Sequence, residues 1–190
     1  MAAIRAKTNL RAGDVVVNTH PIEIATVVGS GVAVCVTNGA GTGGVAHYLL
    51  PSYTGSGTET TKFGNIALNQ LFDKLAGAGA STSSLEAKLF GGSGNSSARS
   101  QLGTSNLELA REFLAKKGVR IVGEDVGGSG GRMLKYSPAD GTAEVRKLQW
   151  PQPSTRTYKG DANLLISQLN SVGWPSVQRL ANIRPPSGQA

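Results

Sequence analysis

The chemically useful side chains of this 190-residue chain include two histidines, one cysteine and a set of dispersed hydroxyls and carboxylates. His47 sits in the segment Gly43-Gly44-Val45-Ala46-His47-Tyr48-Leu49-Leu50-Pro51. An imidazole titrates near neutral pH, so it can hold or move a proton in a reaction. A lone histidine in an apolar strand is also a common packed core residue, and this segment alone does not separate the two. His20 precedes Pro21 in a turn-like stretch and reads as a surface residue. The two histidines lie too far apart for a compact metal motif. Cys35 is the only thiol, which excludes an internal disulfide framework and a cysteine-rich metal site. Glu124 and Asp125 are adjacent. On extended backbone such neighbours point to opposite faces, so they read as a capped turn ahead of Gly127-Gly128 rather than as a carboxylate pair. Residues 39–44 fit the pattern G-x-G-x-x-G after a strand. A dinucleotide site needs a helix next, whose N-terminus meets the pyrophosphate. The following residues are β-rich and stop at Pro51, so a flexible turn is the reading there.

The elements that would position these residues follow from periodicity. Residues 15–17, 22–28, 32–36 and 45–50 are rich in β-branched side chains and read as strands. Before them, residues 1–20 otherwise look irregular. Residues 52–60 are mostly Ser, Thr and Gly, an exposed loop. Over 64–76 the period changes: Ile66, Leu68, Leu71, Phe72 and Leu75 recur at helical spacing, ahead of Gly77 and Gly79. Residues 85–90 read as a strand and 91–103 as a Gly/Ser-rich loop. A second helix is predicted over 105–117, with Leu107, Ala110, Phe113 and Leu114 on one face and Gly118 as its stop. Strands at 119–122 and 144–148 flank a glycine-rich loop at 127–131. Strands interleaved with two main helices give an α/β class, a layered sandwich with a mixed β-sheet. This domain is expected to occupy residues 1–150. Residues 151–190 read as a C-terminal tail with one short helix over 161–172, capped by Asp161 and bracketed by prolines.

The totals agree with one globular domain. Charged residues are 16% of the chain, and no apolar run approaches the roughly 20 residues a membrane-spanning helix needs. The first residues carry Arg5, Lys7 and Arg11 but no apolar stretch after them, so no secretory signal is read and the cytoplasm is the expected location. The formal net charge is +7, yet the cations are scattered and only 5% of residues are aromatic, which is poor for base stacking. A solvated basic surface is expected, without nucleic-acid binding or membrane insertion.

Five ordered blocks carry a more specific signal. They are Thr26-Val27-Val28-Gly29-Ser30-Gly31-Val32-Ala33-Val34-Cys35, residues 43–51, Leu85-Glu86-Ala87-Lys88-Leu89-Phe90-Gly91-Gly92, Leu102-Gly103-Thr104-Ser105-Asn106, and Glu124-Asp125-Val126-Gly127-Gly128 with a later Arg132. Their order and spacing resemble the CheD family of chemoreceptor glutamine deamidases from about residue 15 to residue 148. The resemblance implies an amidohydrolase, a protein-glutamine glutaminase that turns receptor glutamines into glutamates in chemotactic adaptation. It implies no cofactor and no metal. The implied partners are the cytoplasmic helices of chemoreceptors and a response-regulator phosphatase.

By motif, the family's catalytic histidine falls on His47, its threonine on Thr26 and its cysteine nucleophile on Gly31. A thiolate would attack the amide carbon, and the histidine would keep the thiol deprotonated and then protonate the departing ammonia. Glycine has no group for the first step, and losing a nucleophile costs on the order of 10⁶ in rate. Two substitutes stand open at this point. Cys35 faces the same side as residue 31 on a strand but lies about 13 Å along it, at about 3.3 Å per residue. Ser30 is adjacent but points to the other face. Asn65, at the start of the first helix, stands where the family usually has Asp, and residues 94–99 form an insertion-like Gly/Ser run. The missing thiol favours a silent binding module over an active hydrolase.

Overall fold

A computed structural model describes residues 6–55, 57–94 and 97–149. The expected tail over 151–190, with its short helix, lies outside the described residues.

Among the described residues, nine strands and two α-helices form an α/β sandwich of three layers. The strands are β1 (Ala6–Asn9), β2 (Val15–Asn18), β3 (Ile22–Val28), β4 (Val32–Thr37), β5 (Gly43–Tyr48), β6 (Glu86–Gly91), β7 (Arg120–Val126), β8 (Gly131–Tyr136) and β9 (Ala143–Leu148). Helix α1 spans Gly64–Gly77 and α2 spans Ser97–Lys116. The strands divide into two mixed sheets rather than one. A four-stranded sheet has the order β1-β3-β8-β9 and a five-stranded sheet the order β2-β5-β4-β6-β7. The pairs β1/β3 and β6/β7 are parallel and the others antiparallel.

Strand β4 runs through the centre of the five-stranded sheet, and all six of its residues are buried. Its alternation explains the continuous apolar run in the sequence. Val32, Val34 and Val36 pack toward the helices with Leu68, Leu71 and Leu75 of α1 and Leu107, Ala110 and Leu114 of α2. Ala33 and Cys35 face the other way, into a second core with Ile24, Val28, Leu134 and Tyr136 of the four-stranded sheet. Each face of one strand therefore feeds a different core.

Several expectations are corrected. Helix α2 begins at Ser97, inside the stretch read as a Gly/Ser loop. Its Gly103 packs against the backbone of Gly92, where an added Cβ would come 2.3 Å from the Gly92 carbonyl oxygen. That glycine marks a close helix–backbone contact, not the end of a loop. Strand β1 lies in a segment expected to be irregular, and β8 starts at the last residue of the expected glycine-rich loop and runs through residues to which no element was assigned. Strand β7 continues to Val126 through the expected capped turn, with Glu124 paired to Arg111 at 3.0 Å and Asp125 to Arg132 at 2.9 Å. After the glycine-rich turn at 39–44 the chain enters β5, so no helix is offered to a pyrophosphate.

Candidate functional site

The parity of three strands brings the motif residues together. On β3, Ile24 and Val28 point into the inter-sheet core, and Thr26 between them does the same. On β5, Val45 points into that core and His47 follows two residues on. Gly31, just before β4, shares the parity of Ala33 and Cys35. Thr26 therefore comes from one sheet, and His47 and Gly31 from the other. All three line a cleft of about 760 Å³ at one end of the inter-sheet space.

Thr26 Oγ1 donates to the Leu10 carbonyl at 3.0 Å and lies 3.0 Å from His47 Nδ1. A hydroxyl has one proton, and it is committed to Leu10. The network thus assigns a proton to Nδ1, which donates to Thr26, and leaves a lone pair on Nε2. Nε2 lies 3.4 Å from the position a Cβ would take on Gly31. A side chain at residue 31 would therefore meet the free nitrogen of the imidazole. His47 is 3% exposed. Burial lowers its pKa to about 4, against a smaller opposing pull from the Asp14 carboxylate. The resting imidazole is neutral and a hydrogen-bond acceptor at Nε2.

The backbone is closed tightly around Gly31. A Cβ there would come 2.4 Å from the Tyr48 carbonyl oxygen and 3.3 Å from Leu49 Cδ2. Gly92 N–H donates to the Gly31 carbonyl at 2.8 Å, and Ser93 N–H to the Gly29 carbonyl at 2.9 Å. From α2, the Asn106 Nδ2 group donates to the Ser30 and Leu49 carbonyls, both at 2.9 Å. Tyr48 in turn donates its hydroxyl to the Asn106 carbonyl at 2.6 Å. Asn106 thus ties the turn carrying Gly31 to the end of the strand carrying His47. In the sequence it stood only as the last residue of one block, near the start of the helix predicted over 105–117, so its role was not visible there.

Cys35 does not reach this cleft. It pairs in register with Val45 and Lys88, is fully buried in the inter-sheet core, and burial pushes its thiol pKa strongly up. The protonated thiol is a poor nucleophile. In the native chain Cys35 is expected to resist a soluble thiol reagent and to react at one equivalent per chain only in denaturant. Fast labelling of the folded protein would contradict this burial. Ser30 does line the cleft, and its carbonyl is held by Asn106. His20 is exposed and lies outside the cleft. Among the described residues no three His, Cys, Asp or Glu side chains gather to hold a metal ion. Among the same residues no helix is long and apolar enough to cross a membrane.

Known proteins resolve what kind of chain this is. A family model described as CheD chemotactic sensory transduction matches residues 49–147. A probable chemoreceptor glutamine deamidase CheD of Rhizobium meliloti (strain 1021) is 42% identical over 137 residues, covering 70% of this chain and 75% of the relative. The chain belongs to the CheD family. A probable CheD 1 of Anaeromyxobacter dehalogenans (strain 2CP-C) is 39% identical over 148 residues, covering 76% of this chain and 86% of that protein. A CheD of Bordetella petrii is 33% identical over 169 residues, 86% of this chain and 73% of its own. The segment matched by the CheD model starts two residues after His47, so it contains Leu49, Ser93 and Asn106 but not Thr26, Gly31 or His47.

Proposed function

We propose that this CheD protein engages glutamine side chains on the cytoplasmic helices of chemoreceptors through the inter-sheet cleft, and that it does so without hydrolysing them. The relatives are named as chemoreceptor glutamine deamidases, which supports the receptor as partner and the side-chain amide as target. One observation carries the loss of hydrolysis: residue 31, the position that faces His47 Nε2 at 3.4 Å, is glycine. Amide hydrolysis through a thioester needs a thiolate on the amide carbon, an imidazole to exchange the proton, and backbone N–H groups for the oxyanion. His47 and Thr26 would supply the second requirement. The first has no atom here.

The reading places function in residues 1–150, with 151–190 as a tail, and requires the cytoplasm as compartment. It extends through the family resemblance to a chemotaxis phosphatase as a second partner, which would dock without a thiol. The test is calorimetric binding of a receptor cytoplasmic fragment to the full chain, with mass spectrometry of the fragment afterwards. Saturable binding with every glutamine intact is expected. Conversion to glutamate by the native chain would overturn the silent reading, and Cys35→Ala and Ser30→Ala would then locate the nucleophile. Absence of binding would overturn the receptor assignment.

A further inference from the structure

Ser93 lies outside the group of residues that amide hydrolysis requires. It follows Gly91 and Gly92, whose φ angles of 112° and 63° turn the chain back under residues 29–31. Its N–H is fixed to the Gly29 carbonyl. The residue is 2% exposed, lines the same cleft as His47, and its Oγ has no hydrogen-bond partner among the described residues. A buried hydroxyl left unpaired is costly, so its place at the wall of a cleft points to a ligand group as its partner. The hydroxyl proton turns to suit an acceptor.

The cleft therefore offers two unlike polar atoms. His47 Nε2 accepts, because Nδ1 is the donor to Thr26. Ser93 Oγ donates. A primary carboxamide matches this pair in one orientation, with its N–H toward Nε2 and its carbonyl toward Ser93. A carboxylate has acceptors only, and one of its oxygens would face the Nε2 lone pair. Arg11 and Arg99 also line the cleft, but both are exposed, where solvent and salt screen their attraction for a carboxylate.

From this we infer that the cleft reads the amidation state of its target: it holds an uncleaved glutamine carboxamide between His47 Nε2 and Ser93 Oγ and rejects the glutamate form. The inference rests on the proposed function and names the specificity of the same site.

The experiment compares two forms of one receptor cytoplasmic fragment, with glutamine or with glutamate at the modifiable positions, titrated calorimetrically into the full native chain at neutral pH. The glutamine form is expected to bind at least about tenfold tighter, because a mismatched polar pair leaves buried groups unpaired. Ser93→Ala is expected to remove most of that preference while unfolding at no lower denaturant concentration than the native chain, since it deletes a hydroxyl without a partner. Equal binding of the two forms, or preference for glutamate, overturns the inference and leaves the receptor assignment standing. Binding of neither form overturns both. A folded Ser93→Ala chain with the full preference overturns the role given to Ser93.

Discussion

The Gly31→Cys variant is expected to lose about 1–3 kcal/mol of stability and to gain conversion of receptor glutamine to glutamate. Both effects have one origin. The new Cβ would stand 2.4 Å from the Tyr48 carbonyl oxygen, where real contacts stay above 3.0 Å, so the strand end must give by the difference, about 0.6 Å. Neighbours held by Asn106 and Gly92 resist that movement, and overpacking a tight site costs energy of this order. The same Cβ lies 3.4 Å from His47 Nε2, which directs the thiol to the imidazole that can take its proton. Losing a nucleophile costs on the order of 10⁶ in rate. A displaced but correctly aimed thiol is expected to recover part of this. Gly31→Ala should show the same loss of stability and no conversion. Urea unfolding and mass spectrometry of the receptor fragment read the two effects separately. A Cys variant as stable as the native chain would refute the close approach at Tyr48. A folded Cys variant without turnover would refute residue 31 as the vacated nucleophile position.

Acid is expected to destabilise the protein through His47. Burial holds its folded pKa near 4, against an ordinary value near 6.5. Between those values the unfolded chain binds a proton that the folded chain refuses, so stability rises with pH across this window. The contribution is complete above about pH 6.5, is lost as pH falls toward 4, and levels off below. Its full size is on the order of 3 kcal/mol. His47→Gln removes this slope while the carboxylates continue to titrate in both proteins. The difference between their urea midpoints at pH 7, 5.5 and 4.5 isolates the imidazole. Parallel curves for the two proteins would show that His47 is solvated rather than buried.

The residues of the site were legible as types and spacing, but not as a place. Val45, His47 and the β4 run read as strands because β-branched residues dominate them. That Thr26 and His47 belong to different sheets depends on the antiparallel pairing of β3 with β8, and β8 itself was hidden. Its inward positions are Arg132, Leu134 and Tyr136, and a buried arginine breaks the apolar alternation. Arg132 is tolerated there because Asp125 and the Gly127 carbonyl satisfy it, a compensation that only three-dimensional proximity reveals. Strand β1 was hidden for the opposite reason: an edge strand with no buried residue has no pattern to read. The first turns of α2 carry Ser97, Ser100 and Gly103, poor helix formers in a Gly/Ser-rich stretch, and Gly103 packs closely on Gly92. Asn106 and Ser93 escaped notice because their roles lie in backbone carbonyls and an unpaired hydroxyl, which no residue type announces.

The hydrogen bond between Thr26 and His47 also sets an order in which such a site decays. Each of the two is buried and satisfies the other across the gap between sheets, so replacing either strands a polar atom in the interior at a cost of about 1–3 kcal/mol. Glycine at residue 31 breaks no bond of this pair and leaves only the Nε2 lone pair of the cleft-lining His47 to find another partner. The Thr26–His47 pair is therefore held in place by the architecture itself, whatever group stands at residue 31. Under the proposed function, the change that would separate a binding cleft from a hydrolytic one is confined to a single position, residue 31.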